Sequence, residues 1–256
     1  MDIHEALRPP LDIGAVEKLV PELGLARGLE GSPFHHLDTF EHTLEVVRGI
    51  ERELEEGEVG ARVDPGRIEA LRLAGILHDV AKFVTRGEVD GRVLFVAHDT
   101  LGARMIPRIC RRLDLSAGLT DAAIILTTLH LKIGFMGNPR ADYPPARLAA
   151  ASGPFGEELA VLSWADRLAA QGPRLKDEHI ERHQDLCVEF LQTSRDLGPY
   201  PEPDYEELAV RLGLSPEEDG ADIGYAASRI RLLRSRGLSD GGAVEQVSGF
   251  LRDARG

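Results

Sequence analysis

The sequence predicts an all-α protein, and three observations carry that expectation. Ala, Leu, Glu and Arg dominate a chain in which 43% of residues are apolar and only 5% aromatic, which suits helices better than sheets. Apolar residues recur at three- and four-residue steps in segment after segment. Nowhere does strand-like alternation trade places with helical periodicity as a βαβ unit requires, and no internal repeat or low-complexity tract interrupts the pattern. With 256 residues the chain is long enough to bury a full core, as one large domain or two small ones.

Taken in order, residues 1–33 form a lead-in, with a short amphipathic piece near Ala15 and a Gly/Pro-rich loop at 28–33. A helix follows, with Asp38 as N-cap and Glu41 three residues on, and Phe40, Leu44, Val47 and Leu54 form its buried stripe. Its acidic end, 51–58, reads as solvated surface. Residues 68–84 read as one helix that is apolar on nearly all sides, which places it in a core. After it come a Gly-punctuated loop at 87–91, a short apolar run at 93–97, and a helix with Leu101, Met105 and Ile109 inward and a kink at Pro107. A second buried helix spans 120–131, and the loop 134–145 is a lid or a plain connection. A helix over 157–170 carries Trp164 and Asp166. Gly172-Pro173 is the best boundary, dividing residues 34–172 from a tail, 173–256, made of a charged helix, a Pro-rich hinge and three shorter helices. Gly237 suits the end of the penultimate one.

Charge and cysteine content narrow the function classes. A formal net charge of −13 argues against a general binder of nucleic acid or anionic membrane, although a local basic patch is compatible with it. Cys110 and Cys187 stand apart, outside any CxxC arrangement, so neither a zinc ribbon nor a disulfide framework is indicated, and a cytoplasmic location fits. The first residues lack a basic flank and an apolar run, so neither a signal peptide nor a spanning segment is expected.

The chemistry centres on His78-Asp79 inside the apolar segment 68–84. Burying an imidazole beside a carboxylate is costly unless both are partnered, and a shared cation is one of the few partners that satisfies two acceptors at once. An isolated His-Asp pair is more often hydrogen-bonded into a helical core. Here, however, His42, His98 and His130 also lie in or beside apolar helical segments, and Asp166 closes an ordered series in which each member falls on a different helix or helix start. Imidazole and carboxylate donors suit first-row divalent cations, whereas magnesium prefers oxygen alone.

The series His42, His78-Asp79 and Asp166, with Lys82 completing His-Asp-x-x-Lys, resembles the HD superfamily of metal-dependent phosphohydrolases. Pro21-Glu22-Leu23, the stretch from Phe34 through His42 to Leu44, Gly91 through His98, Gly102-Ala103, His130 and Trp164-Ala165-Asp166 are similar to the HD domain of bacterial tRNA nucleotidyltransferases of the CCA-adding and poly(A) polymerase type. Leu212 to Pro216 and Asp222 to Gly224 are weakly similar to the tail of those enzymes.

The resemblance implies an HD-domain helical bundle with a C-terminal helical extension. One metal would be held by His42, His78, Asp79 and Asp166, and a second, bridged by Asp79, by His98 and His130. One or two divalent ions per chain follow, Mn, Fe, Co, Ni or Zn, with Mg as an alternative. The implied activity is hydrolysis of small phosphate esters, nucleotides above all, as monoesters or 2′,3′-cyclic diesters, by water that the metal activates. Asp79 would act chiefly as ligand and Lys82 as a cation near the phosphate, unless Lys82 is a surface charge capping the central helix. Two departures stand out. The residues before Pro21 leave no room for a nucleotidyltransferase head, so nucleotide addition is not expected of this chain, and His130-Leu131 stands where many relatives carry a His-His pair.

For Arg104 and Arg108 a solvated helix face is expected, with a phosphate-binding entrance as the alternative. His35 and His36 either flank the site or bond locally, and His179 and His183 read as surface. The competing function is an RNA-associated or regulatory helical module with a structural metal site, whose support is Arg229, Arg231, Arg234 and Arg236 in the tail.

Overall fold

The computed structural model describes residues 1–29, 36–138 and 143–255, with side chains through 252. Among the described residues the fold is helical throughout except for one small hairpin, as the composition predicts. After α1 (Ile3–Ala6) and α2 (Ile13–Leu19), α3 (Thr39–Glu56) starts where its cap signal stands: the Asp38 carboxylate accepts from the Glu41 N–H at 2.8 Å. It stops at Gly57, whose φ of 69° is left-handed backbone that favours glycine. Its acidic end is not uniformly solvated. Glu53 is buried and accepts the backbone N–H groups of Glu58 and Val59, both at 3.0 Å, so it serves as a side-chain cap for the turn that follows the helix.

The segment expected as one helix over 68–84 is two, α4 (Ile68–Leu77) and α5 (Lys82–Thr85). Between them Val80 N–H bonds Leu77 C=O and Lys82 N–H bonds Asp79 C=O, both tight i→i+3 turns. The break sits at the His-Asp pair, and its consequence appears in the site.

A second correction concerns 86–95, expected as a loop followed by an apolar run. It is the hairpin β1 (Arg86–Val89) and β2 (Arg92–Phe95), antiparallel, with Arg86 opposite Phe95 and Val89 opposite Arg92. Asp90 and Gly91 form its two-residue loop with φ of 51° and 69°, the left-handed pair that a type I′ turn requires.

Then come α6 (His98–Arg112), continuous through Pro107, and α7 (Ala117–Leu129). The inward face of α6 is Gly102, Ile106, Ile109 and Cys110; Leu101 and Met105 are only partly covered. The segment Ala117–Phe135 is long and apolar enough to span a membrane by length and composition alone. It lies in the interior of the fold, with 61% of the most apolar window buried.

Helices α4 and α7 supply residues to two cores at once. Leu71 and Ala74 of α4, with Ile125 and Leu126 of α7, join a core shared with α3, α9 (Gly156–Ala169) and α10 (Asp177–Asp196). Leu73 and Ile76 of α4, with Ala123 and Ile124 of α7, join another that the lead-in helices and α6 complete. That is why both helices are apolar around their whole circumference.

Helix α8 (Pro145–Ser152) precedes α9. After α10 come α11 (Tyr205–Leu212), α12 (Gly220–Ser235) and α13 (Asp240–Arg255). Residues 30–35, which hold most of the expected loop 28–33, and residues 139–142 of the loop expected as a lid or a plain connection lie outside the described residues. Helix α12 lies directly on α7: a Cβ at Gly224 would collide with the Ala117 carbonyl oxygen. The Arg231 guanidinium of α12 forms a bidentate pair with Asp121 of α7 at 2.7 and 2.9 Å, both side chains buried, and Tyr205 OH donates to the same carboxylate at 3.0 Å. Arg231 is therefore not part of an exposed basic series, contrary to the expectation for the tail.

Glu158 of α9 carries a pH prediction. It is fully buried, neither carboxylate oxygen has a hydrogen-bond partner, and the nearest cation, Arg67, is 3.9 Å away. Burial raises its pKa from 4.5 to about 7. The folded state then holds this proton more tightly than the unfolded chain, so stability falls as pH rises from about 4.5 to about 7 and stays lowered above that. Glu158→Gln is expected to stabilise the protein by ~2–3 kcal/mol at pH 8 and by little at pH 4.5. Equal gains in thermal denaturation at the two pH values would count against this assignment.

Candidate metal centre

Five elements deliver the six side chains: α3, the turn after α4, α6, α7 and α9. Helices α3 and α9 approach closely because Gly49 faces Ala165, where an added Cβ would stand 3.1 Å from the alanine Cβ. That contact brings His42, in the first turn of α3, within 3.0 Å (Nε2 to Oδ1) of Asp166 on α9. In an uninterrupted helix successive side chains diverge by about 100°. The break after Leu77 lets the adjacent His78 and Asp79 both turn to one point. His98 opens α6 after Ala97, whose φ is 58°, and His130 caps the end of α7. Gly102 lets α6 approach Thr127 of α7 and the turn at Val80 and Ala81. Lys132 and Asp99, 2.6 Å apart, tie the end of α7 to the start of α6 and so hold His130 and His98 side by side. This strap is invisible in sequence spacing.

Three of the rings share one device. Nδ1–H of His78 donates to Gly75 C=O at 2.8 Å, that of His98 to Phe95 C=O at 2.8 Å, and that of His130 to Thr127 C=O at 2.7 Å. Each bond reaches three residues back and fixes the tautomer, leaving the Nε2 lone pair facing inward, as a ligating imidazole requires.

All four Nε2 atoms converge on Asp79. Oδ2 lies 3.1 Å from His78 and 3.5 Å from His42, and Oδ1 lies 3.2 Å from His98 and 3.9 Å from His130. The two oxygens thus face two different groups: His42 and His78 with Asp166 on one side, His98 and His130 on the other.

This donor set fits a divalent cation. The Nε2 atoms of His78 and His98 and both Asp79 oxygens are buried and have no partner in hydrogen-bond geometry. Lone pairs facing one another at such distances repel unless positive charge sits between them. Two ligands bound about 2.0–2.1 Å from one ion stand roughly 3–3.4 Å apart, close to the spacings seen here. Burial alone would raise the Asp79 pKa, but His78 and Lys82, which face its carboxylate, outweigh it and hold the group well below the carboxylate range. At Asp166 burial is likewise outweighed, chiefly by the His42 hydrogen bond. His130, desolvated and beside His78, falls to about 4 and is neutral near pH 7, the form that can ligate.

Lys82 is buried, not a surface cap. Its Nζ lies 2.5 Å from Asp79 Oδ2 and 5.4 Å from the centre of the Phe95 ring. His36 is exposed, and His35 lies outside the described residues. Arg104 and Arg108 are exposed on α6.

His183 corrects the surface expectation, while His179 is exposed. On α10 His183 is buried, its Nε2 3.0 Å from Ser163 C=O, its ring stacked on Trp164, and its pKa pushed down to about 4 by burial and then by Arg167. Its signal was present: His183, Cys187, Phe190 and Leu191 form the buried stripe of α10 at helical spacing. With Arg167, Gly134, Phe135 and Leu131 it lines a cleft of about 80 Å³ that His130 and Asp166 also line. The Arg167 Nε is buried there without a hydrogen-bond partner.

A helical bundle whose buried centre is built on His, His-Asp and Asp defines a class. Residues 39–171 match the HD domain, and the chain belongs to that family. Over 98% of its length the chain is 28% identical to the A-adding tRNA nucleotidyltransferase of Deinococcus radiodurans, covering 56% of that protein. It is 27% identical to the CC-adding tRNA nucleotidyltransferase of Thermus thermophilus, over 95% of this chain and 51% of the relative. The bifunctional uridylyltransferase/uridylyl-removing enzyme of Novosphingobium aromaticivorans is 30% identical over 56% of this chain and 16% of its own length. The chain thus spans about half the length of the two tRNA nucleotidyltransferases.

Proposed function

We propose that this protein is a cytoplasmic metal-dependent phosphohydrolase of small phosphate esters, with nucleotides, including 2′,3′-cyclic ones, as its favoured substrates. The observation that carries the reading is the convergence of four imidazole nitrogens on the two oxygens of one buried aspartate, 3.1–3.9 Å away. In this reading residues 34–172 form the metal-binding unit. His42, His78, Asp79 and Asp166 hold one divalent cation, and Asp79 shares a second with His98 and His130. Nitrogen and carboxylate donors favour Mn, Fe, Co, Ni or Zn over Mg.

A cation so held supplies Lewis acidity at the phosphoryl group and lowers the pKa of water toward neutrality. The side chains do the rest. Asp79 stays ionised and acts as ligand, and the hydrogen bonds at Nδ1 hold the imidazoles in their ligating tautomer. Lys82 brings positive charge to the phosphoryl oxygens, and Arg167 binds the phosphate as it enters the cleft.

The test is turnover of nucleoside monophosphates and 2′,3′-cyclic nucleotides by metal-stripped protein with each cation added back. Metal-dependent release of phosphate or ring opening is expected; silence across the panel with metal bound would sink the hydrolase reading. Arg167→Ala is expected to raise KM about tenfold with little change in kcat, since it removes one charge-assisted contact of ~1.5–3 kcal/mol. An unchanged KM would place the phosphate elsewhere.

RNA contact is the second reading, favoured by relatives that act on tRNA and align with the tail as well as the centre. With Arg231 buried, Arg229, Arg234 and Arg236 are its basic residues, and Arg234 already lies 3.4 Å from Asp240. A salt-dependent gel shift with tRNA tests it; no shift at low salt would remove it.

A further inference from the structure

A second cavity, of about 500 Å³, opens between α6, α7, α12 and α13, and the metal ligands take no part in its walls. Its lining is regular in a way that separates it from an accidental gap. Thr100 and Arg104 stand one turn apart on α6, Ile124 and Thr128 on α7, Tyr225 and Arg229 on α12, and Gln246 and Phe250 on α13. Each helix therefore presents a single i, i+4 face to the same space.

The chemistry of those faces is mixed and directional. The floor is apolar, with Leu232, Leu233 and Val247. Two aromatic rings stand at the side: Tyr225 and Phe250 have centroids 5.6 Å apart, and Phe250 is 56% exposed and so open to a ligand. Three guanidiniums line the cavity in a protein whose net charge is −13. Arg111 is engaged by Asp222 at 2.5 Å, and Asp222 is the one carboxylate in the lining. Arg104 and Arg229, from facing helices, form no ion pair among the described residues and bring uncompensated positive charge to the same space.

We propose that this cavity binds a nucleoside phosphate. The aromatic side offers a stacking surface to a base, the apolar floor excludes water from it, and Arg104 and Arg229 bind the phosphate oxygens. A volume of about 500 Å³ lies within the range of small-molecule sites and admits a mononucleotide whole. The arrangement selects against inorganic phosphate, which gains nothing from the rings, and against a free nucleoside, which leaves the arginines unanswered. The proposal does not depend on the hydrolase reading, because no side chain of the metal centre is involved.

The test is equilibrium dialysis of labelled AMP, GMP, CMP and UMP against protein kept in EDTA, so that the metal centre contributes no cation-dependent binding. Saturable binding of at least one nucleotide is expected, weakened about tenfold or more by Arg104→Gln or Arg229→Gln and unaffected by Arg167→Ala in the cleft. Phe250→Ala is expected to weaken the nucleotide while leaving inorganic phosphate as weak as before. Both arginines lie on helix faces without ion pairs, so the variants should melt with the wild type, and circular dichroism checks this. No saturable binding below the millimolar range, binding indifferent to both arginine changes, binding lost with Arg167→Ala, or binding confined to RNA oligonucleotides would each overturn the proposal. Loss of hydrolysis with retained dialysis binding separates failure of the metal-site reading from failure of this one.

Discussion

Asp79→Asn is expected to lower metal-dependent turnover by more than about a hundredfold and to reduce the metal retained after gel filtration. The reasoning is geometric. Oδ1 and Oδ2 face two separate groups of imidazoles, so one carboxylate supplies negative charge to both halves of the centre. Loss of a mere outer partner of a metal ligand already costs 10–100-fold, and Asp79 is proposed as a ligand common to both halves. The amide removes that charge and replaces one acceptor oxygen with an NH₂ that can donate to the unpartnered Nε2 of His78 or His98. The metal-free variant is therefore expected to melt within a few degrees of the metal-free wild type, which separates loss of function from loss of fold. Elemental analysis, turnover and melting on one preparation decide the matter. A variant that keeps its metal and its rate would show that Asp79 is only a core carboxylate.

The second large effect is on stability. Arg231→Ala is expected to destabilise the protein by ~3–5 kcal/mol, because it leaves Asp121 buried with only the Tyr205 hydroxyl to answer its charge. The bidentate pair joins α12 to α7, and α7 also carries His130 at its end, so the tail and the centre share one supporting helix. Replacing both partners, Asp121→Leu with Arg231→Met, removes the charge and the need for it together, and is expected to recover most of the loss. Denaturant unfolding of the two single variants and the double variant closes the cycle. A loss below about 1 kcal/mol for Arg231→Ala would mean that water reaches Asp121 when the arginine is gone.

Much of this molecule was legible in one dimension. The cap at Asp38, the all-round apolar character of α4 and α7 and the left-handed stop at Gly237 are local properties, carried by periodicity and by side chains that bond their own backbone. The hairpin at 86–95 was equally local but was passed over: Asp90-Gly91 is its turn signal, and the apolar run on one side alone did not suggest a strand partner. His183 was missed because the charged residues of α10 outweighed a buried stripe that helical spacing does display.

The break between Leu77 and Lys82 is of another kind. No Gly or Pro stands between Leu77 and Lys82, so nothing local ends the helix there; the imidazoles arriving from three other helices make the turn worthwhile. By itself the sequence determined the helical class, the elements that build the core, and the residue types able to serve a cation, since these follow from composition, period and chemistry. Only the tertiary structure decided that Asp79 stands between two groups of imidazoles, that Asp99 and Lys132 strap one pair of them together, that Arg231 faces inward, and that four helices leave an arginine-lined space between them. Those facts rest on pairs such as Asp121 and Arg231, 110 positions apart, whose meeting depends on every packing contact in between.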